Sequence, residues 1–450
     1  MFQKLKQAIQ SNKTIVLNVL GAFGVKGGSL LINLALLPAY ITFFEDQIVL
    51  GVWYTILAVL NWIAMFDLGL GHSLRNKLPW AIEKKDRTLM RQYISTTYVS
   101  MGAIALLICL IGVAVIPGIG WNGVFNVGQD VLSQQTLAQC MNIVFIGVMV
   151  SIVLRIVTSI LYAMQLSAVV NALSLAGNCI ILLAVLTLPS QGLAQNLKTM
   201  SYVNCIAINL PCLVCTVVLF GGKLKDCVPS FRFFRKELVR QIVGVGLTLL
   251  WLNLIFMVVS AANELLITNF CGPEYVVEFQ VYYKIFNTAA MVISLALTPI
   301  WSAVTKASAQ KKYAWIRKTY KLFLGGTVLC FLAQLCVIPL LQWLVNLWLG
   351  EAAIAVKTEY ALAFAFSGTI FVLHNVNTSI GNGLSYFKVQ TLWMTFAAVV
   401  FVPLSWLLVQ LTGSWIGIVV ANVLAMLPYE LLAPVMTMGW LRKKEQEETQ

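Results

Sequence analysis

The stretch Gly51–Leu78, GVWYTILAVLNWIAMFDLGLGHSLRNKL, decides how this chain is read. From Gly51 to Phe66 it carries no charge, and then come Asp67, Gly69, Gly71, Arg75 and Lys77. An uncharged run of this kind is a helix that hydrocarbon can solvate. Two cations just beyond it mark a return to the cytoplasmic face, where Lys and Arg are retained. Asp67 either neutralises Arg75 or the basic loop, or forms part of a flexible edge with Gly69 and Gly71. The residues alone leave both open.

The rest of the composition agrees with that stretch. Of 450 residues, 60% are hydrophobic and 10% charged, with a mean hydropathy of +0.85. Soluble domains carry roughly 25% charged residues. A chain this apolar cannot wet its own surface, so its main solvent is lipid. Short alternating strands of a membrane barrel are absent from the sequence. Helices, which satisfy their own backbone groups, are the remaining solution. The expected fold class is therefore all-α, a polytopic membrane protein.

Twelve spans are expected, near 14–37, 50–72, 93–116, 135–161, 166–188, 201–221, 242–269, 279–305, 319–345, 357–381, 389–410 and 414–439. The opening MFQKLKQAIQSNK is polar, and the apolar run after it exceeds a signal-peptide core, so no cleavable signal is expected. With the N-terminus inside, the cytoplasmic side holds all but five of the 30 basic residues. Lys198 and Lys357 fall outside; Lys26, Arg155 and Lys284 fall within spans. One missed helix would scramble that asymmetry. Both termini are thus expected in the cytoplasm. The net charge of +13 follows from orientation and requires no nucleic acid.

The basic segment 223–241 separates a six-helix bundle at 1–222 from a second at 242–450. Six spans per half give both halves the same orientation. The expectation is two bundles related by a pseudo-two-fold axis along the membrane normal. A shift of 228 residues lays Val49 on Val277, Tyr54 on Tyr282, and the basic loop of Lys84 on that of Lys312. All loops are short, and no catalytic domain stands between spans, so an enzyme is not expected. Ten cysteines and two histidines include one C-x-x-C, Cys212 and Cys215, with no second pair to complete a metal site. No metal and no cofactor are expected.

A cation at the bilayer centre costs about 3 kcal/mol or more and needs a partner or a water-filled cavity. Lys26 lies about 18 Å from either end of its span, beyond easy snorkelling. It faces a cavity or pairs with an acid elsewhere. Gly27 and Gly28, with Gly21 and Gly24, either permit close helix packing or let the helix bend. Arg155 snorkels or lines the cavity. Lys284 pairs with Glu264 or meets substrate. His374, with Asn375 and Asn377, carries a proton or closes a hydrogen-bonded network. Pro299, like Pro211, Pro403 and Pro428, is a tolerated kink that allows bending. The deep charges read as mostly cationic, which suits a phosphate or pyrophosphate.

The Gly51–Leu78 stretch resembles the second helix of Wzx-type polysaccharide flippases. These belong to the multidrug/oligosaccharidyl-lipid/polysaccharide exporter superfamily. The stretch NELLITNFCGPEYVVEFQVYYKIFNTAAMVISLALTPIWSAVTKA, from Asn263, resembles that family's seventh and eighth helices. Length, helix number and halving extend the likeness over the whole chain. The resemblance implies an alternating-access flippase in the bacterial inner membrane. Its cargo would be an undecaprenyl-pyrophosphate-type oligosaccharide, its energy an H+ or Na+ gradient, and a further partner the polysaccharide polymerase machinery. Lys26, Arg155 and Lys284 would bind substrate. Asp67, Glu264, His374, Gly27, Gly28 and Pro299 would serve gating or ion coupling. The alternative is a multidrug or small-metabolite exporter of the same fold.

Overall fold

The computed structural model describes residues 13–64, 70–164, 166–239, 254–259, 261–384 and 386–449. Among the described residues there is no strand. The chain forms two units, Met1–Val49 with Val59–Trp251, and Leu50–Ala58 with Leu252–Gln450.

The first unit is built from α1 (Lys13–Phe44), α2 (Gln47–Ala64), α3 (Leu70–Glu83), α4 (Arg87–Val115), α5 (Gln134–Leu154), α6 (Ile156–Ala163), α7 (Ser167–Thr187) and α8 (Leu193–Gly221). The second contains α9 (Asn263–Phe270), α10 (Glu274–Ala309), α11 (Tyr313–Val337), α12 (Leu341–Leu349), α13 (Thr358–Gly383), α14 (Lys388–Thr412) and α15 (Ile416–Thr449). The described residues of each of the twelve expected spans fall mainly on helix; 65–69 of the second and 242–253 and 260 of the seventh lie outside the described residues. Among the described residues eight helical stretches are long and apolar enough to cross a membrane. The architecture is all-α, with the twelve spans shared between two bundles.

Large apolar side chains point outward along these helices. Leu106 and Leu110 on α4 are 62% and 64% exposed, and Leu329 on α11 is 68% exposed. Exposed apolar faces on this scale would aggregate in water, whereas hydrocarbon solvates them at no cost. Inside the second unit, Phe279, Tyr282 and Phe286 of α10 meet Phe364 of α13 and Trp415, with ring centroids 5.3–6.4 Å apart. Trp415 Nε1 donates to Glu278 Oε2 at 3.0 Å, so the buried indole keeps a partner.

Within the opening stretch the described residues belong to α2 and α3. α2 ends at Ala64 and α3 begins at Leu70, while Asp67 and Gly69 lie outside the described residues. Arg75 and Lys77 lie on α3. The Arg75 guanidinium lies 4.2 Å from the Tyr162 ring centroid. Residues Leu50–Ala58 group with the second unit. There a Cβ on Gly51 would stand 1.7 Å from Pro273 O, and Thr55 Oγ1 lies 2.6 Å from Thr268 Oγ1. Only glycine permits so close an approach of two backbones.

The two halves repeat one another junction by junction. Lys85 N donates to Ile82 O, Asp86 N to Ala81 O and Arg87 N to Lys85 O. The same three bonds recur from Lys311 N to Ser308 O, Lys312 N to Ala307 O and Tyr313 N to Lys311 O. Lys85 and Lys311 both take positive φ, 54° and 59°. Glu45 N to Ile41 O likewise matches Cys271 N to Ile267 O. Both matches give an offset of 226 (311 − 85 and 271 − 45), which corrects the expected 228: Lys85 pairs with Lys311, and Lys312 pairs with Asp86, not Lys84. A hydropathy profile cannot see a shift of two residues within apolar helices; a turn held by three backbone bonds fixes it. Further on, the 3-10 turns Ile116–Gly118 and Ile338–Leu340 each carry a proline, Pro117 and Pro339.

Candidate functional site

Among the described residues, a buried acid–base cluster lies inside the spans of the second unit. On α13, His374 and Asn377 are three residues apart and share a helix face. The facing element, α15, carries Glu430 between Pro428 and Pro434. Proline at 434 has no N–H, so it cannot close the helical bond to the carbonyl four residues earlier, which is that of Glu430. Asn377 Nδ2 lies 3.3 Å from that carbonyl oxygen and 2.7 Å from Glu430 Oε2, donating to both. His374 Nδ1 lies 2.9 Å from Glu430 Oε1. Tyr320, on α11, donates its hydroxyl to Asn377 Oδ1 at 2.6 Å.

All four side chains are buried; His374 is 4% exposed and Glu430 0%. Phe256 stacks on the imidazole at 4.8 Å, and Tyr429 meets it edge-on at 5.7 Å. A carboxylate taken out of water is tolerable only with its lone pairs filled. His374 and Asn377 supply that on both oxygens. Such a site can hold a proton between an imidazole and a carboxylate, and it can exchange that proton if a polar path reaches it.

A cavity of about 50 Å³ lies in the same unit, lined by Phe256, Asn263, Tyr283, Asn287, Ser367 and Asn422 among others. It has room for a few waters. Phe256, one wall, is the ring stacked on His374. Asn263 and Tyr283, on another, are the sequence neighbours of Glu264 and Lys284. Glu264 accepts a hydrogen bond from Gln280 Nε2 at 3.1 Å. Asn422 Nδ2 donates to Val259 O. The cavity is therefore polar on several sides although every element around it is apolar overall.

The remaining candidates are distributed differently. Lys284 is half-buried in the third turn of α10, where the sequence places it at the start of a span. Arg155 stands at the junction of α5 and α6, eight residues before α6 ends, and is exposed. Lys26 lies on α1, and Pro299 on α10, but their side chains lie outside the described residues. Asp67 falls outside them altogether. Added Cβ atoms at Gly24 and Gly27 would meet nothing within 4 Å, and one at Gly28 would meet Leu175 at 3.8 Å. Close packing therefore does not require these glycines.

Glu430 escaped the sequence reading, and it corrects the inventory of deep charge: Glu264 and Glu430 now stand beside the cations. A lone acid between two prolines of one span was the available signal. All ten cysteines are free, Cys212 and Cys215 included. Among the described residues no group of His, Cys, Asp and Glu could hold a metal ion.

No family model matches the sequence, and no curated protein does. Solved structures do match. An inward-facing multidrug resistance MATE family transporter of the MOP superfamily superposes with a TM-score of 0.70 at 16% identity, over 92% of this chain and 96% of that one. An outward-facing structure of such a transporter gives 0.62 at 14%, over 94% of each. The fold is that of the MATE transporters. A third neighbour with this fold is a MOP superfamily transporter from Pyrococcus furiosus, described by the reverse polarity of its binding pocket. It gives 0.64 at 17% identity over 96% of each chain. The MATE fold has twelve helices in two bundles.

Proposed function

We propose that this chain is an alternating-access flippase. It carries polyprenyl-pyrophosphate-linked oligosaccharide units from the cytoplasmic to the outer leaflet of the bacterial inner membrane, with both termini in the cytoplasm. The observation that carries the reading is that the described deep acids are already hydrogen-bonded. Lys26 and Arg155 of the first half and Lys284 of the second lie within the expected spans. The acids Glu264 and Glu430 lie in the second unit and already hold hydrogen bonds, from Gln280 on one side and from Asn377 on the other. Cations at these positions suit a pyrophosphate, which bidentate and multidentate cationic donors recognise. A cationic drug would want bare carboxylates instead. The Pyrococcus neighbour, in which a reverse polarity of the binding pocket suggests a different function, supports reading cargo from pocket charge on this fold.

In this scheme Lys26, Arg155 and Lys284 bind the headgroup. Glu264 and His374, with Glu430 as the partner of His374, couple movement to H+ or Na+. Asp67, Gly27, Gly28 and Pro299 serve the gate. The polymerase machinery receives the product. The second reading, a multidrug or small-metabolite exporter, is favoured by the neighbours described as multidrug transporters. A deletion strain separates the two. Lipid-linked glycan trapped on the cytoplasmic leaflet supports flipping. Unchanged surface polysaccharide with altered drug susceptibility overturns it.

A further inference from the structure

A second cavity, of about 400 Å³, opens in the first unit at the end where its basic residues gather. That volume is in the range of ordinary ligand pockets, about 300–1,000 Å³. Its polar wall is Lys85, Arg87 and Lys223, and its apolar floor includes Leu78, Ile160 and Leu224. The basic side chains are exposed, while Leu78 and Leu224 are buried.

The wall is held in place. Cys227 Sγ lies 3.8 Å from Arg87 O, and Arg91 Nε donates to Val228 O at 3.1 Å. The Arg91 guanidinium lies 4.2 Å from the Phe233 centroid. Ser230 N donates to Ser95 Oγ and Arg235 N to Thr96 Oγ1, both at 3.1 Å. The segment after α8 is thereby fastened along α4, and Lys223 is presented opposite Lys85 and Arg87. Three acids lie close in sequence: Glu83, Asp86 and Asp226. None of them lines the cavity, and Asp86 already accepts from Leu89 N at 2.9 Å. Lys85 also occupies a left-handed backbone position (φ 54°) where Gly or Asn would cost less.

We infer that Lys85, Arg87 and Lys223 form a binding site for the phosphate headgroup of an anionic bilayer phospholipid, seated at the edge of the first bundle with its acyl chains toward the apolar floor. Three cations over an apolar base, at the ends of membrane helices, match a molecule that is anionic at one end and hydrocarbon at the other. Basic pockets of this kind between helix ends hold anionic headgroups. The site is separate from the cargo reading and stands or falls without it.

The test is native mass spectrometry of the full purified chain, titrated with phosphatidylglycerol or with phosphatidylcholine. The variant combines Lys85→Gln, Arg87→Gln and Lys223→Gln. The control removes equal charge elsewhere, through Arg442→Gln, Lys443→Gln and Lys444→Gln. Each basic side chain near an anionic lipid contributes a factor of about five, so phosphatidylglycerol affinity should fall on the order of a hundredfold in the variant and little in the control. Elution volume and thermal midpoint verify folding, and Lys223→Gln alone, in a surface turn, serves should the triple variant misfold. Equal loss in the control, equal binding of phosphatidylcholine, or unchanged affinity in the variant would overturn the assignment. Displacement of the lipid by equimolar inorganic pyrophosphate would reassign the site to free phosphates and overturn it as well.

Discussion

Glu430 and His374 lie 2.9 Å apart in the interior of the second bundle, and the second carboxylate oxygen of Glu430 is taken by Asn377. Two helices, α13 and α15, are thereby joined through a pair that neither could bury alone. Losing one partner strands the other, and stranding a buried charge costs about 3–5 kcal/mol. His374→Leu or Glu430→Leu should each lower the unfolding midpoint strongly in detergent. The double variant should recover much of the loss, because no charge is left unpaired. Thermal unfolding of the three proteins measures this; a strictly additive double variant would contradict it.

The same pair bears on coupling. His374→Gln keeps a hydrogen-bonding side chain but cannot take a proton. Under the proposed function, transport by this variant should lose its dependence on an imposed pH gradient while the folded fraction stays near wild type. Flux into inverted vesicles across a series of pH steps reads it. The groups around the imidazole that can also titrate are Glu430, Tyr429 and Tyr320, so Tyr320→Phe is the matched control.

Substrate binding is tested through the cations. A hydrogen bond to a charged group is worth about 1.5–3 kcal/mol, so Lys26→Gln, Arg155→Gln and Lys284→Gln should each cut cargo flux by roughly tenfold or more. Surface polysaccharide in a complemented deletion strain gives the readout. Retention of full activity by all three would remove the anionic cargo from consideration.

Glycines divide into two kinds. Gly51→Ala drives a Cβ onto Pro273 O, and overpacking of this sort costs about 1–3 kcal/mol. Gly24→Ala and Gly27→Ala meet nothing and should stabilise α1 by roughly 0.5–1 kcal/mol each. If bending of α1 matters for gating, these two variants should be more stable yet slower. Paired melting and flux measurements on the same preparations show whether the two effects part company.

The turn before α4 offers a smaller test. Asp86 caps the helix by accepting Leu89 N at 2.9 Å, and replacing such a cap with Ala costs about 1 kcal/mol. Lys312 holds the equivalent place before α11 and has no side-chain cap. Lys312→Asp should therefore stabilise the second hairpin by a comparable amount, measured as a rise in the unfolding midpoint.

Much of this architecture was legible in the residues because the bilayer imposes one-dimensional rules. Span length, the lack of charge within each span, and the side on which Lys and Arg collect are all local properties. They yielded the all-α class and the twelve spans in two bundles. Lys284 and His374 stood out for the same reason, as polar groups in runs where hydrocarbon tolerates few. Other features depend on what lies across from what. The Glu430 carbonyl is free because of Pro434, but nothing along the chain says that Asn377 reaches it. The grouping of Leu50–Ala58 with the second unit rests on Gly51 meeting Pro273, residues 222 positions apart. The 226-residue register appears only in backbone bonds at turns. Hydrophobicity is a sum over neighbours in sequence, and so it could be read from the order of residues; hydrogen bonds and close backbone approaches are pairings in space, and only the folded chain specifies them.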